Sequence, residues 1–154
     1  MEKLDVKILV EDADFMPVYK TSGSACMDCR ADILSTTNGM GDTYTLFPGQ
    51  VAIIDLGFRV AVPEGYVMNV YLRSGIAANY SLALPNGVGK IDSDYRGVVK
   101  AILVNVGTVA ATINHKDRIM QCEIVPVQPI NLIPVPILDD TNRGEGGLGS
   151  TGVK

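Results

Sequence analysis

What most constrains this chain is a period-two pattern carried in many short runs. Leu4, Val6, Ile8 and Val10 alternate with polar residues, and Phe58, Val60 and Val62 do the same. Successive side chains of a strand point to opposite faces, so these runs predict half-buried strands. Tyr66–Leu72, Val98–Val106 and Arg118–Val127 are rich in β-branched and large apolar residues and predict further strands. Turn signals separate them: Asn38-Gly39, Pro48-Gly49, Pro63-Glu64-Gly65, Asn86-Gly87, Gly107-Thr108 and Asn114-His115-Lys116-Asp117. Short strands at this spacing predict an all-β sandwich or barrel such as a jelly roll. One short helix is expected over Ser74–Tyr80, opened by a residue type that caps helices well.

At 154 residues the chain predicts one domain with a sizeable core, and 47% hydrophobic against 19% charged residues argues against disorder. Thirteen basic and seventeen acidic residues leave a net charge of −4. Without a basic field to release counterions, neither nucleic acid nor a membrane surface is an expected partner. A polyanionic ligand would need local cations, backbone amides or a metal. No apolar run approaches the roughly 18 residues of a membrane span, and the opening MEKLDVKILVEDADF has no signal-peptide apolar region. Three cysteines are too few and too odd for a disulfide framework, which predicts a cytoplasmic protein.

The tail changes character. Pro126, Pro129, Pro134 and Pro136 make Val125–Leu138 an extended strap. Arg143–Gly152, RGEGGLGSTG, then carries five glycines in ten residues. Composition leaves two readings open there: a frayed tail, or a lid whose backbone amides, hydroxyls and cation close over phosphates.

Four other stretches carry candidate chemistry. Cys26 and Cys29 have C-x-x-C spacing, but the remaining Cys122 and His115 do not complete a zinc pattern, and no βαβ context supports a redox motif. Asp28 between them is a carboxylate in a small, apolar run, otherwise readable as a turn or cap residue. Arg73-Ser74-Gly75 places a guanidinium and a hydroxyl where a strand gives way to the helix, an arrangement that suits an anion but is also an ordinary turn. Asn86–Gly97, NGVGKIDSDYRG, reads as a β-hairpin or loop rim; on a strand, Asp92, Asp94 and Arg96 would share one face with Tyr95 on the other. A carboxylate there could take a proton from water, or could simply be solvated. Gln121, in Arg118-Ile119-Met120-Gln121, could hold a phosphate oxygen or a neighbouring backbone group.

In this order, SACMDCRA, LRSGIA, NGVGKIDSDYRG, RIMQ and RGEGGLGSTG resemble the five motifs of the homotrimeric dUTPase family, from about Ser22 to Gly152. The resemblance implies a jelly-roll-like β-barrel over residues 1–127. It also implies a C-terminal arm over 128–154 that closes a neighbouring subunit's site, with a homotrimer sharing its active sites. It implies hydrolysis of dUTP to dUMP and pyrophosphate by water attacking the α-phosphorus, assisted by Mg²⁺. Asp92 corresponds to the general base, Tyr95 to the residue that excludes a 2′-hydroxyl, and Asn86 to the reader of the uracil edge. Arg73, Ser74, Gly75 and Gln121 correspond to phosphate-binding residues, and Asp28 to the carboxylate that meets Mg²⁺ through water. Arg143, Gly147, Leu148, Gly149, Ser150 and Thr151 correspond to the closing arm.

The sequence departs from the family pattern at four places. Leu148 stands where a phenylalanine stacks on uracil, Cys26 replaces a glycine, Leu72 a proline and Met120 an alanine. Two rivals remain: a dCTP deaminase, whose glutamate Asn86–Val98 lacks, and a nucleotide-responsive binding module, for which no long insertion offers a partner surface.

Overall fold

The computed structural model describes residues 3–39 and 41–148, and the alternation becomes two-faced strands along it. In chain order these are β1 (Lys7–Val10), β2 (Met27–Arg30), β3 (Thr43–Leu46), β4 (Val51–Asp55), β5 (Phe58–Ala61) and β6 (Tyr66–Leu72). After helix α1 (Ser74–Tyr80) come β7 (Leu82–Ala83), β8 (Gly89–Ile91), β9 (Lys100–Asn105), β10 (Ala111–Asn114) and β11 (Arg118–Pro126). The expected strands lie within or overlap β1, β5, β6, β9 and β11, and the expected helix has the bounds of α1.

Pairing is antiparallel throughout the described residues. β1 pairs β5, β10 pairs β3, and two larger sheets run β2-β11-β6-β8 and β4-β9-β7. The fold is therefore all-β with one short helix, but these ladders form separate sheets and do not close into a barrel. The inward faces of β4, β5, β9 and β10 meet in a core that includes Leu46, Ile54, Leu56, Phe58, Leu103 and Ile113, all essentially inaccessible. Burying one such side chain contributes about 1.5–3 kcal/mol. The buried Asn105 stabilises the turn after β9: its amide donates to the carbonyls of Leu46 and Val109, both at 2.8 Å, and its oxygen accepts from Gly107 N–H at 2.8 Å. No helix among the described residues is long and apolar enough to cross a membrane.

Two local expectations need correction, and a third stretch resolves one way of two. Ser74 does not cap α1; Arg73 occupies the cap position with an extended backbone and no side-chain cap bond, and Ser74 is the first helical residue. Asp28 is neither a turn nor a cap residue but lies inside β2, hydrogen-bonded into the ladder opposite Gln121. Of the hairpin and loop-rim readings, residues 92–98 take the loop. β8 ends at Ile91, and a turn follows in which Tyr95 N–H donates to the Asp92 carbonyl at 3.2 Å, so strict face alternation does not apply there. Asp-Ser-Asp favours such a turn because its side chains compete for local backbone groups.

Candidate functional site

The central four-stranded sheet builds the first group of candidate residues. β11 lies between β2 and β6, with Gln121 opposite both Asp28 and Tyr71. An irregularity in the β2–β11 register falls between Arg118 and Met120, and bulges of this kind re-aim side chains. Arg118 Nη1 meets Asp28 Oδ2 at 3.0 Å. From the end of β6, Arg73 Nε meets Asp28 Oδ1 at 3.2 Å, and Arg73 Nη1 donates to the Arg118 carbonyl at 2.8 Å. Asp28 thus bridges two guanidiniums while its side chain is only 11% exposed. The trio carries a net positive charge, and each guanidinium has five N–H donors, more than these bonds consume. Ser74 and Gly75 follow at the exposed start of α1. Arg118 is the residue that sequence reasoning left without a role; its partner lies 90 positions away, and no local signal connects them.

The turns on either side of β8 build the second group. Asn86, Asp92 and Tyr95 line one cavity of about 310 Å³ together with Gly89, Lys90, Ile91, Ile53, Lys100 and Ile102. Tyr95 is 40% exposed, yet its hydroxyl is fixed by donation to the Val98 carbonyl at 3.0 Å. Asp92 is exposed at the cavity wall. None of Asp28, Arg73, Ser74, Gly75 or Gln121 lines this cavity. The chain therefore carries two separate clusters, one suited to anions and one suited to a polar ring system.

The described arm residues, Arg143, Gly147 and Leu148, neither line the cavity nor join the Asp28 ion pairs. Arg143 Nε donates to its own Gly146 carbonyl at 2.8 Å, and Gly147 and Leu148 are exposed. Gly149, Ser150 and Thr151 lie outside the described residues. Along the preceding strap, Ile130, Leu132, Ile133, Val135, Ile137 and Leu138 are 54–83% exposed.

The cysteines behave as packing groups. Cys29 and Cys122 are fully buried with their sulfurs 3.4 Å apart, and all three cysteines are free. The thiol contact with Cys122, then burial, pushes the Cys29 thiol well above its ordinary range, which disfavours the reactive thiolate.

Among the described residues no group of three or more His, Cys, Asp or Glu side chains is placed to cage a metal ion. Asp28 accepts one guanidinium bond on each oxygen, but a carboxylate has about four lone-pair sites. It fits an outer contact with metal-bound water and does not by itself make a direct cation site.

What the fold and these clusters define is an all-β scaffold equipped for a polar, anionic small molecule. The family model described as dUTPase matches residues 16–152, and the chain belongs to that family. It is 40% identical over 152 residues to the deoxyuridine 5'-triphosphate nucleotidohydrolase of Fusobacterium nucleatum subsp. nucleatum, covering 99% of each chain. With the protein of that name from Dinoroseobacter shibae it shares 43% identity over 142 residues, covering 92% of this chain and 90% of the relative. Among solved structures, a mutant dUTPase of Staphylococcus bacteriophage 80alpha with dUpNHpp superposes with a TM-score of 0.83 at 23% identity, covering 98% of this chain and 100% of that one. A mutant dUTPase from phage phi11 of S. aureus, described with a structural Mg(II) ion, gives a TM-score of 0.72 at 22% identity, covering 87% and 98%.

Proposed function

We propose that this chain is a dUTP diphosphatase that hydrolyses dUTP to dUMP and pyrophosphate, with Asp92 as the general base. The observation that carries the reading is the cavity shared by Asn86, Asp92 and Tyr95. It places a polar group for a base edge, an aromatic ring and an exposed carboxylate around one ligand-sized space. Asn86 reads the uracil edge; cytosine would replace an acceptor by a donor there and leave buried groups mispaired. Tyr95 lies against the sugar and leaves no room for a 2′-hydroxyl. Asp92 orients a water toward the α-phosphorus and takes its proton as the P–O bond to the pyrophosphate leaving group breaks. Such a displacement needs mainly positioning and charge stabilisation.

The triphosphate is held by Arg73, Ser74, Gly75 and Gln121, with Arg118 beside them. Asp28 holds the two guanidiniums in register, and it is the residue that would meet Mg²⁺ through water. Bound by the triphosphate, Mg²⁺ supplies charge neutralisation of the phosphate oxygens. Residues 128–154 act as an arm, with Arg143, Gly147, Leu148, Gly149, Ser150 and Thr151 closing over the nucleotide.

The working unit is a jelly-roll-like homotrimer with shared sites in the cytoplasm. Two features support assembly: the two clusters occupy different parts of the chain, and the strap exposes a run of large apolar side chains. Isolated chains rarely leave such a surface uncovered.

Asp92→Asn tests the assignment. It keeps the shape of the side chain but cannot accept the proton, so pyrophosphate release from dUTP should fall about 10²–10⁴-fold while nucleotide still binds. Near-normal turnover would refute Asp92 as the base.

A further inference from the structure

The Tyr95 ring folds back along its own turn, and Gly97 is the reason it can. A Cβ at Gly97 would lie 2.3 Å from the Tyr95 hydroxyl oxygen, 2.5 Å from Cζ and 3.1 Å from Cε2. A side chain there would force the far end of the Tyr95 ring to shift. Yet the backbone at Gly97 has a φ outside the left-handed region, so an alanine could adopt it without torsional strain. The glycine is required there for space and not for conformation.

The turn has little freedom to yield. Arg96 Nη1 donates to the carbonyls of Ser93 at 2.7 Å and Tyr95 at 2.8 Å, holding the loop from within. Two residues past Gly97, Val99 is fully buried; its N–H donates to the Phe58 carbonyl at 2.9 Å, and its carbonyl accepts from Leu56 N–H at 3.0 Å. A methyl group at position 97 would therefore be accommodated by moving the half-exposed ring, at the expense of its hydroxyl bond to the Val98 carbonyl. Displacing the ring changes the shape of the cavity wall that Tyr95 shares with Asn86 and Asp92.

We propose that Gly97 is a positioning residue for sugar discrimination: by lacking a Cβ it seats the Tyr95 ring where a 2′-hydroxyl would otherwise fit. This rests on the reading of Tyr95 given above.

The test is a double-mutant cycle read as the ratio of kcat/KM for dUTP over UTP in wild type, Gly97→Ala, Tyr95→Ala and the double variant. A reshaped pocket of this kind changes discrimination by about tenfold or more, so Gly97→Ala should lower the ratio by about that factor. In the Tyr95→Ala background it should have no further effect, because the ring through which it acts is gone. A general loss of stability would lower both rates together and leave the ratio alone. An unchanged ratio in Gly97→Ala with a reduced one in Tyr95→Ala overturns the role of Gly97 and leaves Tyr95 as the gate. An unchanged ratio in Tyr95→Ala overturns both. If Gly97→Ala does not fold, the Gly97→Ala/Tyr95→Ala chain should fold, since its clash is removed; failure of that chain as well would overturn the proposal.

Discussion

Replacing Asp28 by asparagine probes the polar frame proposed to hold the triphosphate. The carboxylate has two charge-assisted contacts, 3.2 Å to Arg73 Nε and 3.0 Å to Arg118 Nη1. Removing one member of a buried pair typically costs about 3–5 kcal/mol, whereas a fully exposed pair contributes only about 0.2–1 kcal/mol. This site lies between those limits, because Asp28 is nearly buried while Arg73 and Arg118 are 31% and 40% exposed. Asparagine keeps one acceptor but turns an amide toward a guanidinium, donor against donor. A loss of about 2 kcal/mol is the expected result, after discounting the buried-pair figure for solvent screening. At about 2–4 °C per kcal/mol for a chain of this size, that is a fall in Tm of about 4–8 °C. The assay is thermal unfolding at fixed subunit concentration, with Arg118→Gln and the double variant alongside. Arg118→Gln alone should cost less, and the two changes together should cost less than their sum, since they share one interaction. A change below about 1 °C in Asp28→Asn, or strict additivity in the cycle, would refute the account of Asp28 as the counter-ion that organises both arginines.

Two further expectations concern assembly and the arm. Mixing Asp92→Asn protein with a chain truncated before Arg143 should regenerate activity after subunit exchange, because intact hairpin and intact arm can then meet at one site; a mixture no more active than its components would contradict shared sites. Leu148→Phe should tighten dUTP binding by about 1–2 kcal/mol, the lower end of base–aromatic stacking, mostly as a lower KM. Equal kcat/KM in the two proteins would mean that Leu148 already does the work of an aromatic ring.

Local pattern made some elements legible and left others hidden. β6 and α1 were readable because Tyr66–Leu72 is a dense apolar run and a serine follows it after a single residue, Arg73. Even so, the serine marked the helix start without capping it, since Arg73 holds the cap position. β2 was easy to miss: Met27–Arg30 alternates apolar and charged side chains over only four residues, too short a run to stand out, and its place as a strand comes from pairing with β11, far along the chain. That non-local pairing also unites Asp28 with Arg118, which no spacing rule could anticipate. At Asp92–Arg96 the sequence left hairpin strand and loop rim both open, and local hydrogen bonding makes a turn. Asn86 before β8, and Asp92 and Tyr95 within that turn, were named through family resemblance, and the cavity brings them together. Gly97 was only the last letter of a motif until the Tyr95 ring was seen lying over it.

The central claim is that water attacks the α-phosphorus of dUTP at the site carrying Asp92. Single-turnover hydrolysis in ¹⁸O-labelled water, with enzyme in excess over dUTP, tests it directly, because the oxygen that enters marks the phosphorus attacked. The account predicts one labelled oxygen in dUMP and none in pyrophosphate. Label in the pyrophosphate would place the attack on the β-phosphorus and contradict it.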